Sequence, residues 1–483
     1  MTHTLYWHDY ESWGADPRRD RPVQFAGLRT DLDLNPLGEP LTLYCRPPPD
    51  ALPSPQACLI TGITPQLAER QGVCEAEFIS RIHEELARAG TCAVGYNSIR
   101  FDDELTRHAL YRNFFDPYAR EWQNGNSRWD IIDLVRMARA LRPGGVRWPS
   151  HPDGAPSNRL EDMTAANGIE HAGAHDALAD VRATIELARL LRRAQPRLYD
   201  WFFGLRDKRR VAPLLDCATM KPVLHVSGMY PAEHGCLAVV APLAPHPTNR
   251  NGVIVFDLRY DPRPFAGLDA EAIRERLFTP AAELPEGQER IPLKTVHLNK
   301  SPALAPLSTL TPEAAARWDI DLERARRHLE LLRAVDGLGR RVQLAHGAKA
   351  LPPADDPELA LYDGFFPDAD RARIARVRAT PPPELGRTDF GFEDARLPGL
   401  LFRYRARNFP DTLGAAERER WRAHCRTGLT GGIDGVAGLD AYLASLEDLR
   451  SGAQGERDVR ILDALEAHAR HLAREAGLED APA

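Results

Sequence analysis

Three features common in other protein classes are missing from this chain of 483 residues. No apolar run approaches the roughly 20 residues that a membrane-spanning helix needs, and the opening Met-Thr-His-Thr lacks a signal-peptide pattern. The seven cysteines are scattered, and none belongs to a C-x-x-C pair. This argues against a disulfide framework and against a cysteine zinc site. We therefore expect a protein of the cytoplasm, not of a membrane, with reduced thiols.

The chain also lacks the excess of positive charge that many nucleic-acid-binding proteins carry, since its formal net charge is −7. Binding depends on where Lys and Arg cluster rather than on their total, so composition leaves the partner open. The hydrophobic share of 43% and the charged share of 27% are those of an ordinary globular protein. The length predicts two or three domains.

The pattern of apolar residues changes twice along the chain, which predicts three domains. Residues 1–195 alternate strand-like and helix-like patterns, so we expect a mixed sheet flanked by helices. Residues 196–350 hold short β-rich runs separated by turn-rich stretches such as HPTNRNG, which is typical of a small β-barrel. Residues 351–483 are mainly helical in pattern. The predicted fold class is therefore α/β (α+β).

Four acidic residues and one histidine stand out in three segments of the first predicted domain. Asp9 and Glu11 share one face of a predicted strand, where paired carboxylates favour a divalent metal, although a solvent-facing pair is the alternative. Asp102 opens a predicted helix and could instead cap it. His175 precedes another predicted helix, and Asp180 lies in its first turns. Alone, such a histidine is more often structural.

The order of these segments resembles a known family. The pattern D-x-E, then N-x-x-x-F-D, then H-x-x-x-x-D is that of the DEDDh 3′→5′ exonucleases, which share an RNase H-like fold. Within this family, nearly the whole chain is similar to the bacterial exodeoxyribonuclease I enzymes. The segments that carry this similarity include HDYE, LITGITPQ, GYNSIRFDDE, YRNFFDPYA, ANGIEH, MKPVLHVSGM, HPTNRN, GFFPDADR and RYRARNFP.

The resemblance implies a catalytic role for each matching position. Asp9, Glu11 and Asp180 would hold two Mg²⁺ ions, for which Mn²⁺ could substitute, and Asp102 would contribute directly or through a water. His175 would deprotonate the attacking water, a task suited to an imidazole. Hydrolysis would release 5′-mononucleotides from a free 3′ end, in the service of DNA repair and recombination.

A second group of residues indicates a single-stranded DNA substrate. Arg159 matches a family position that contacts the substrate phosphate. Aromatic and arginine side chains alternate over residues 107–129, a mixture that suits single strands because rings stack on bases and arginines follow phosphates. The preferred DNA contacts are Arg107, Tyr118, Trp122 and Arg136. The stretch also contains Tyr111, Arg112, Phe114, Phe115, Arg120, Arg128 and Trp129, of which several aromatics could belong to the core.

The resemblance also implies how the other two domains act. The barrel would be SH3-like, and the helical region would close over the exonuclease domain to form a groove that favours processive digestion by a monomer. Arg403, Arg405 and Arg407 could line this groove or form a solvated charged stretch. The family also binds the acidic C-terminal tail of single-strand DNA-binding protein, for which Arg142 and Lys221 are basic candidates.

Two other functions remain open from the sequence. The chain could be a catalytically inactive scaffold that binds single-stranded nucleic acid, although all five site residues are present. It could also be an exoribonuclease of the same superfamily. Those enzymes are usually a single exonuclease domain, so the long extension beyond residue 195 argues against this alternative.

Overall fold

The computed structural model describes residues 3–171, 173, 175–347, 353–431, 437–453 and 455–478. The N-terminal region is built on a mixed five-stranded sheet. Its strands, β1 to β5, are Thr4–Ser12, Pro22–Thr30, Leu41–Tyr44, Thr91–Gly95 and Ser127–Asp130. Their order is β3-β2-β1-β4-β5, with β1 antiparallel to β2 and parallel to β4. Strand β1 is therefore the central strand, and β4 beside it is buried along its whole length.

Helices cover this sheet and complete the N-terminal region. They are α1 Pro55–Thr61, α2 Pro65–Gln71, α3 Glu75–Leu86, α4 Asp102–Arg112, α5 Ile131–Leu141, α6 Leu160–Asn167, α7 Ala177–Ala194, α8 Pro196–Gly204 and α9 Lys208–Val211. The sequence analysis did not predict α1 and α2. Both begin with a capping hydroxyl, from Ser54 or Thr64, followed by proline at the first helical position. This start signal is a strong one, because the hydroxyl satisfies a free N–H and proline needs no hydrogen bond there.

The second region is an antiparallel five-stranded sheet of order β10-β6-β7-β8-β9. Its strands, β6 to β10, are Val223–Val226, Leu237–Pro245, Gly252–Asp257, Leu293–His297 and Ala303–Pro306. Its helices, α10 to α14, are Arg263–Ala266, Ala270–Phe278, Pro312–Arg317, Leu322–Arg333 and Leu338–Ala345. One continuous apolar core joins this sheet to the first region, and the Trp318 indole donates to the Ala140 carbonyl at 3.0 Å.

The third region is helical and packs on the first region in two places. Its helices, α15 to α19, are Asp368–Ala379, Arg396–Asn408, Ala415–Leu429, Leu439–Ser451 and Glu456–Glu475. Helices α18 and α19 share a buried cluster with α1, α2, Val23 of β2 and Trp13, which directly follows β1. Residues of α15 and α16 bury Tyr111 and Phe114 from the far end of α4. The C-terminal helices therefore close over the N-terminal region.

The predicted fold class is confirmed, whereas the domain boundaries stay predictions. Residue 195 lies between α7 and α8, and Tyr199 and Phe202 of α8 still pack against Trp129. Residues 350 and 351, the second predicted boundary, lie outside the described residues. Across the described ranges, no helix combines the length and apolarity needed to cross a bilayer. The cytoplasmic location also stays a prediction.

Candidate active site

Strand β1 places Asp9 and Glu11 on one face, as the alternation of side chains predicts. In the pairing with β2, Asp9 lies opposite Ala26 and Glu11 opposite Gln24. The register shifts directly after Glu11, so the pair lies where regular pairing ends. Small or polar partners across the ladder leave room for two carboxylates beside each other.

Asp102 comes to the same place from α4. Its carboxylate is buried and accepts the Tyr10 backbone N–H at 3.1 Å, which holds it beside the strand that carries Asp9. No side chain caps α4. The next residue, Asp103, forms ion pairs with Arg120 at 2.7 Å and Arg128 at 2.8 Å. The alternative that Asp102 is an N-cap is therefore wrong.

Helix α7 supplies the third part of the site. Asp176 is its N-cap and accepts the Ala179 N–H at 3.2 Å. His175 precedes this cap with a left-handed φ of 68°, an uncommon conformation for a residue other than glycine. Asp180 lies in the first turn. Ligand atoms of Glu11, His175 and Asp180 all lie within 4.8 Å of one another.

The electrostatics of this group fit a divalent cation. Burial and the charges of Asp102 and Glu11 raise the pKa of Asp9 well above its usual range. Burial and the nearby Asp180 raise the pKa of Glu11 to about 8. Burial also raises the pKa of Asp102 and of Asp180. Carboxylates that repel one another in this way are the hard oxygen donors that Mg²⁺ and Mn²⁺ prefer.

We expect divalent metal to stabilise the protein more at pH 8 than at pH 6. Folded Glu11 keeps its proton up to about pH 8, whereas an unfolded glutamate loses it near about pH 4.3. The folded state thus binds more protons in this window, and the stability of the metal-free chain falls as pH rises through it. Metal binding displaces these protons and is therefore stronger at pH 8. Metal at 100 times its Kd would add about 2.7 kcal/mol.

Thermal unfolding with and without MnCl₂ at both pH values measures this difference. Sodium chloride at matched ionic strength controls for screening, and Glu11→Gln should remove most of the difference between the two pH values. Equal metal-induced shifts of Tm at pH 6 and pH 8 would contradict the prediction.

Three polar residues that the sequence analysis missed lie against this site. The Gln24 amide donates to Asp176 at 3.2 Å and accepts the Ala177 N–H at 3.2 Å, which ties β2 to the start of α7. His171 contacts the Asp180 carboxylate through Nε2. Glu161 lies beside His175. His171 could have been found from the sequence, because it lies four residues before His175 in EHAGAHDALAD.

Arg159 is placed next to the site by α6. Its side chain is 64% exposed, and its Nε lies 3.4 Å from Glu161 Oε2. The other oxygen of Glu161 lies 3.9 Å from His175 Nε2. The glutamate therefore links the predicted phosphate contact with the predicted base. Both contacts are long enough and exposed enough to yield to a substrate.

A cavity of about 1760 Å³ lies where the three regions meet. Nine cationic and five acidic side chains line it, together with eight aromatic rings. This lining is net positive although the whole chain carries −7. The asymmetry is the kind that binds a polyanion. Sequence analysis overlooked much of the lining, notably the basic run over residues 206–210 and Phe365, which is 80% exposed.

The cavity includes three of the four predicted DNA contacts. Trp122 is 64% exposed, and Tyr118 lies under the Arg107 guanidinium, 5.5 Å from ring centroid to Cζ. Arg107 is already engaged, since its Nε and Nη2 donate to Glu121 at 2.6 and 2.8 Å. Arg136 is not part of the lining. It pairs with Asp133 at 2.8 Å.

Several charged and aromatic residues have structural positions that differ from the prediction. Arg112 and Arg120 are buried in ion pairs with Glu75 and Asp103, and Arg128 pairs with Asp103 at the cavity edge. Phe114 and Trp129 are core residues, which agrees with the alternative that several aromatics of this stretch belong to the core. The suggestions that Arg403, Arg405 and Arg407 line a groove or form a solvated stretch are both wrong. They form ion pairs with Asp356, Glu358, Glu417 and Asp50.

Comparison with known proteins identifies all three regions. The chain matches the families described as Exonuclease over residues 6–188, Exonuclease I SH3-like domain over 206–347 and Exonuclease I C-terminal domain over 355–472. Exodeoxyribonuclease I of Escherichia coli is 47% identical over 97% of this chain and 98% of its own length.

Solved structures agree with these matches. Exonuclease I from Methylocaldum szegediense superposes with a TM-score of 0.93 at 56% identity, covering 97% of this chain and 99% of that one. The zinc-bound complex of E. coli exonuclease I with single-stranded DNA gives 0.93 at 46% identity, covering 98% and 100%.

Similarity to an oligoribonuclease covers a smaller share of this chain. The oligoribonuclease of Streptomyces griseus is 27% identical and covers 40% of this chain, though 87% of its own length. The exonuclease I relative thus covers nearly the whole chain, whereas that enzyme covers less than half of it. The chain belongs to the exonuclease I family and is an exodeoxyribonuclease built from an exonuclease domain, an SH3-like domain and a C-terminal helical domain.

Proposed function

We propose that this chain degrades single-stranded DNA from the 3′ end to 5′-mononucleotides by two-metal-ion hydrolysis, with His175 as the general base. The observation that carries this proposal is one helix, α4, with Asp102 at its first residue and Glu104 and Arg107 on the cavity. Helix α4 thus connects the carboxylate group to the cationic, aromatic cavity, whose lining does not itself include the five site residues. Its E. coli relative has been solved with single-stranded DNA and zinc.

Asp9, Glu11, Asp102 and Asp180 would hold the divalent ions. When bound, these ions neutralise charge on the scissile phosphate and make an attacking water more acidic. The protein contributes fixed carboxylates: Asp102 is held by the Tyr10 N–H, and Glu11 lies beside Gln24, which anchors α7. Mg²⁺ is the ion we propose for the cell, with Mn²⁺ as a substitute.

His175 would take the proton from the attacking water. Its side chain is 36% exposed and therefore reaches solvent, while its ligand atom stays within 4.8 Å of those of Glu11 and Asp180. Oε1 of Glu161 lies 3.9 Å from its Nε2 and would help to orient the ring. Arg159, exposed beside it, would pair with a substrate phosphate.

The cavity would hold the strand upstream of the reacting end. Rings such as Trp122 and Phe365 offer faces for unpaired bases, and Lys208 and Arg210 offer charge for phosphates. Because side chains from all three regions surround the cavity, a strand inside it would dissociate slowly. This supports processive digestion.

Digestion of oligo-dT blocked at either the 3′ or the 5′ end, with Mg²⁺ or with excess chelator, tests polarity and metal need together. We expect 5′-mononucleotides only from a free 3′ end and only with metal. Matched oligo-U should be cleaved much more slowly. His175→Ala should lose rate while still binding oligo-dT. Binding without release in the parent protein would instead favour the inactive scaffold, and equal cleavage of RNA would favour an exoribonuclease.

Truncating Trp122 is expected to weaken binding of single-stranded DNA about tenfold, because base stacking on an aromatic ring contributes about 1–3 kcal/mol. Trp122→Phe should retain most of the affinity. Anisotropy of labelled oligo-dT in chelator measures binding without hydrolysis. Phe278 is a matched control, 62% exposed and outside the cavity lining. Equal losses in Trp122→Ala and Phe278→Ala would reject a specific stacking role.

We also propose that Arg142 and Lys221 bind the acidic tail of single-strand DNA-binding protein, in a monomeric repair enzyme. Lys221 is exposed, while Arg142 donates to the Thr309 carbonyl at 3.0 Å at the junction with the second region. Anisotropy of a labelled acidic tail peptide should show weaker binding for Lys221→Ala and Arg142→Ala. Unchanged affinity in both variants would reject these contacts.

A further inference from the structure

A second histidine, His171, contacts the candidate metal site through Asp180. His171 Nε2 contacts Oδ1 of Asp180, and only 7% of the imidazole side chain is exposed. The other ring nitrogen, Nδ1, lies 3.2 Å from the Thr164 hydroxyl. Both nitrogens of this ring are therefore engaged, one by the carboxylate and one by the protein.

Thr164 is a rigid anchor for this ring. It is fully buried in α6, and its hydroxyl also lies 2.9 Å from the carbonyls of Leu160 and Glu161. A continuous line of hydrogen-bonding contacts thus runs from α6 through Thr164 and His171 to Asp180 on α7. These contacts hold the Asp180 carboxylate in place relative to α6, a helix that carries none of the proposed metal ligands.

The two histidines have different surroundings. His175 is 36% exposed, and its ligand atom falls in the group formed with Glu11 and Asp180. His171 is much less exposed and is not in that group, as far as the described residues go. A ring held on both sides and shielded from solvent is poorly placed to receive a proton from water, but well placed to orient a ligand.

We propose that His171 is a positioning residue that fixes the orientation of the Asp180 carboxylate for metal binding, an inference that rests on the proposed metal-dependent function. An ionised carboxylate only accepts hydrogen bonds, so Nε2 donates to it. Carboxylates that bind metals are themselves held by hydrogen bonds, and losing such a partner typically weakens metal affinity about 10- to 100-fold. Without His171, the Asp180 carboxylate can rotate, and metal binding must then order it.

The test measures Mn²⁺ affinity by electron paramagnetic resonance, alongside nuclease rates over a range of Mn²⁺ concentrations. His171→Ala should weaken Mn²⁺ binding about 10- to 100-fold and shift the rate curve to higher Mn²⁺, with kcat largely recovered at saturation. His171→Gln, whose amide can still donate, should recover part of the affinity. Thr164→Val should shift affinity in the same direction by a smaller factor. His175→Ala should lower kcat at every Mn²⁺ concentration.

Unchanged Mn²⁺ affinity in a folded His171→Ala protein would overturn the proposal. A fall in kcat at saturating Mn²⁺ without a change in affinity would also overturn it, because His171 would then act in the chemical step. If His171→Ala fails to fold, His171→Gln and Thr164→Val decide the matter by the same two readouts. A parent protein that binds no Mn²⁺ would instead reject the proposed function itself.

Discussion

Replacing Asp9 with asparagine is expected to abolish nucleotide release and yet make the metal-free protein more stable. The carboxylate is a proposed ligand on the central strand of the sheet, so its loss removes several kcal/mol of charge stabilisation. About 4 kcal/mol corresponds to about a thousandfold in rate. We therefore expect at least this loss in kcat at saturating Mg²⁺.

The expected gain in stability comes from removing the charge of the Asp9 carboxylate. Burial and repulsion by Asp102 and Glu11 raise the pKa of Asp9 in the folded state, so its ionised form opposes folding when no metal is bound. Asparagine has nearly the same shape without the charge. A single stabilising substitution commonly adds about 0.5–2 kcal/mol. The gain should grow as pH rises, because a larger share of the parent carboxylate is then ionised.

Nucleotide release and chemical denaturation in chelator, measured on the same preparations, check both halves of this prediction. Asp33→Asn is a matched control, because that carboxylate is 73% exposed and pairs only with Arg192 in the described structure. It should change neither activity nor stability appreciably. An Asp9→Asn protein that keeps a tenth of the parent rate, or that unfolds more easily in chelator, would contradict the proposed site.

Replacing Glu358 with alanine is expected to release the C-terminal helices from the exonuclease domain. Glu358 is 6% exposed and accepts hydrogen bonds from Arg21 of the first region at 2.9 Å and from Arg403 and Arg407 of α16. Arg407 also donates to Asp50 of the first region at 2.8 and 2.6 Å. The three arginines keep a second carboxylate each, Glu75, Asp356 and Asp50, so removing Glu358 leaves them only partly compensated. The cost should therefore lie below the roughly 3–5 kcal/mol of breaking a buried pair outright.

The effect should appear in stability and in processivity. We expect calorimetry to separate into two transitions, and we expect shorter runs of digestion on long oligo-dT in the presence of competitor DNA. Glu358→Gln removes the charge and keeps the shape, so it separates the two contributions. Glu393→Ala is the control: this side chain is 56% exposed in its pair with Arg373 and should contribute less than about 1 kcal/mol. One unchanged transition for Glu358→Ala would contradict this role.

The ion pairs of Glu358 and Asp50 also predict that the contacts between the first and third regions weaken in acid. Burial alone would raise the pKa of Glu358, but Arg21 and Arg407 hold it well below its usual range. Arg407 does the same for Asp50. A depressed pKa in the folded state gives stability that is complete above the unfolded pKa, near about 4.3 for glutamate, and is lost as pH falls below it. The contacts between the regions should therefore weaken progressively below about pH 4.

Local patterns predicted the regular structure well. Helix α5, Ile131–Leu141, has apolar residues at helical spacing, and β6, Val223–Val226, is a short β-rich run, so both follow local patterns. Strand β10 and helices α1 and α2 were not predicted, because short elements carry little periodicity and depend on packing. Their caps, such as Ser54 before Pro55, were the usable signal.

The candidate site was predictable only in part. Asp9, Glu11, Asp102, His175 and Asp180 follow from motifs, and their roles stay predictions. His171 lies only nine positions from Asp180, so its spacing was a visible signal that was overlooked. Gln24 did not stand out, because it contacts Asp176 across 152 positions. No local pattern encodes such a contact.

The sequence by itself determined the family, the fold class and the order of the acidic residues, because these depend on short-range spacing and periodicity. Only the tertiary structure decided which charged side chains face a substrate and which form ion pairs inside the protein. The arginines of RYRARNF look exposed in sequence, yet Arg407 pairs with Asp50 357 positions away. The cationic cavity arises the same way, from three regions that meet only on folding. The interaction between two charges depends on their distance in space, and the order of residues along the chain does not fix that distance.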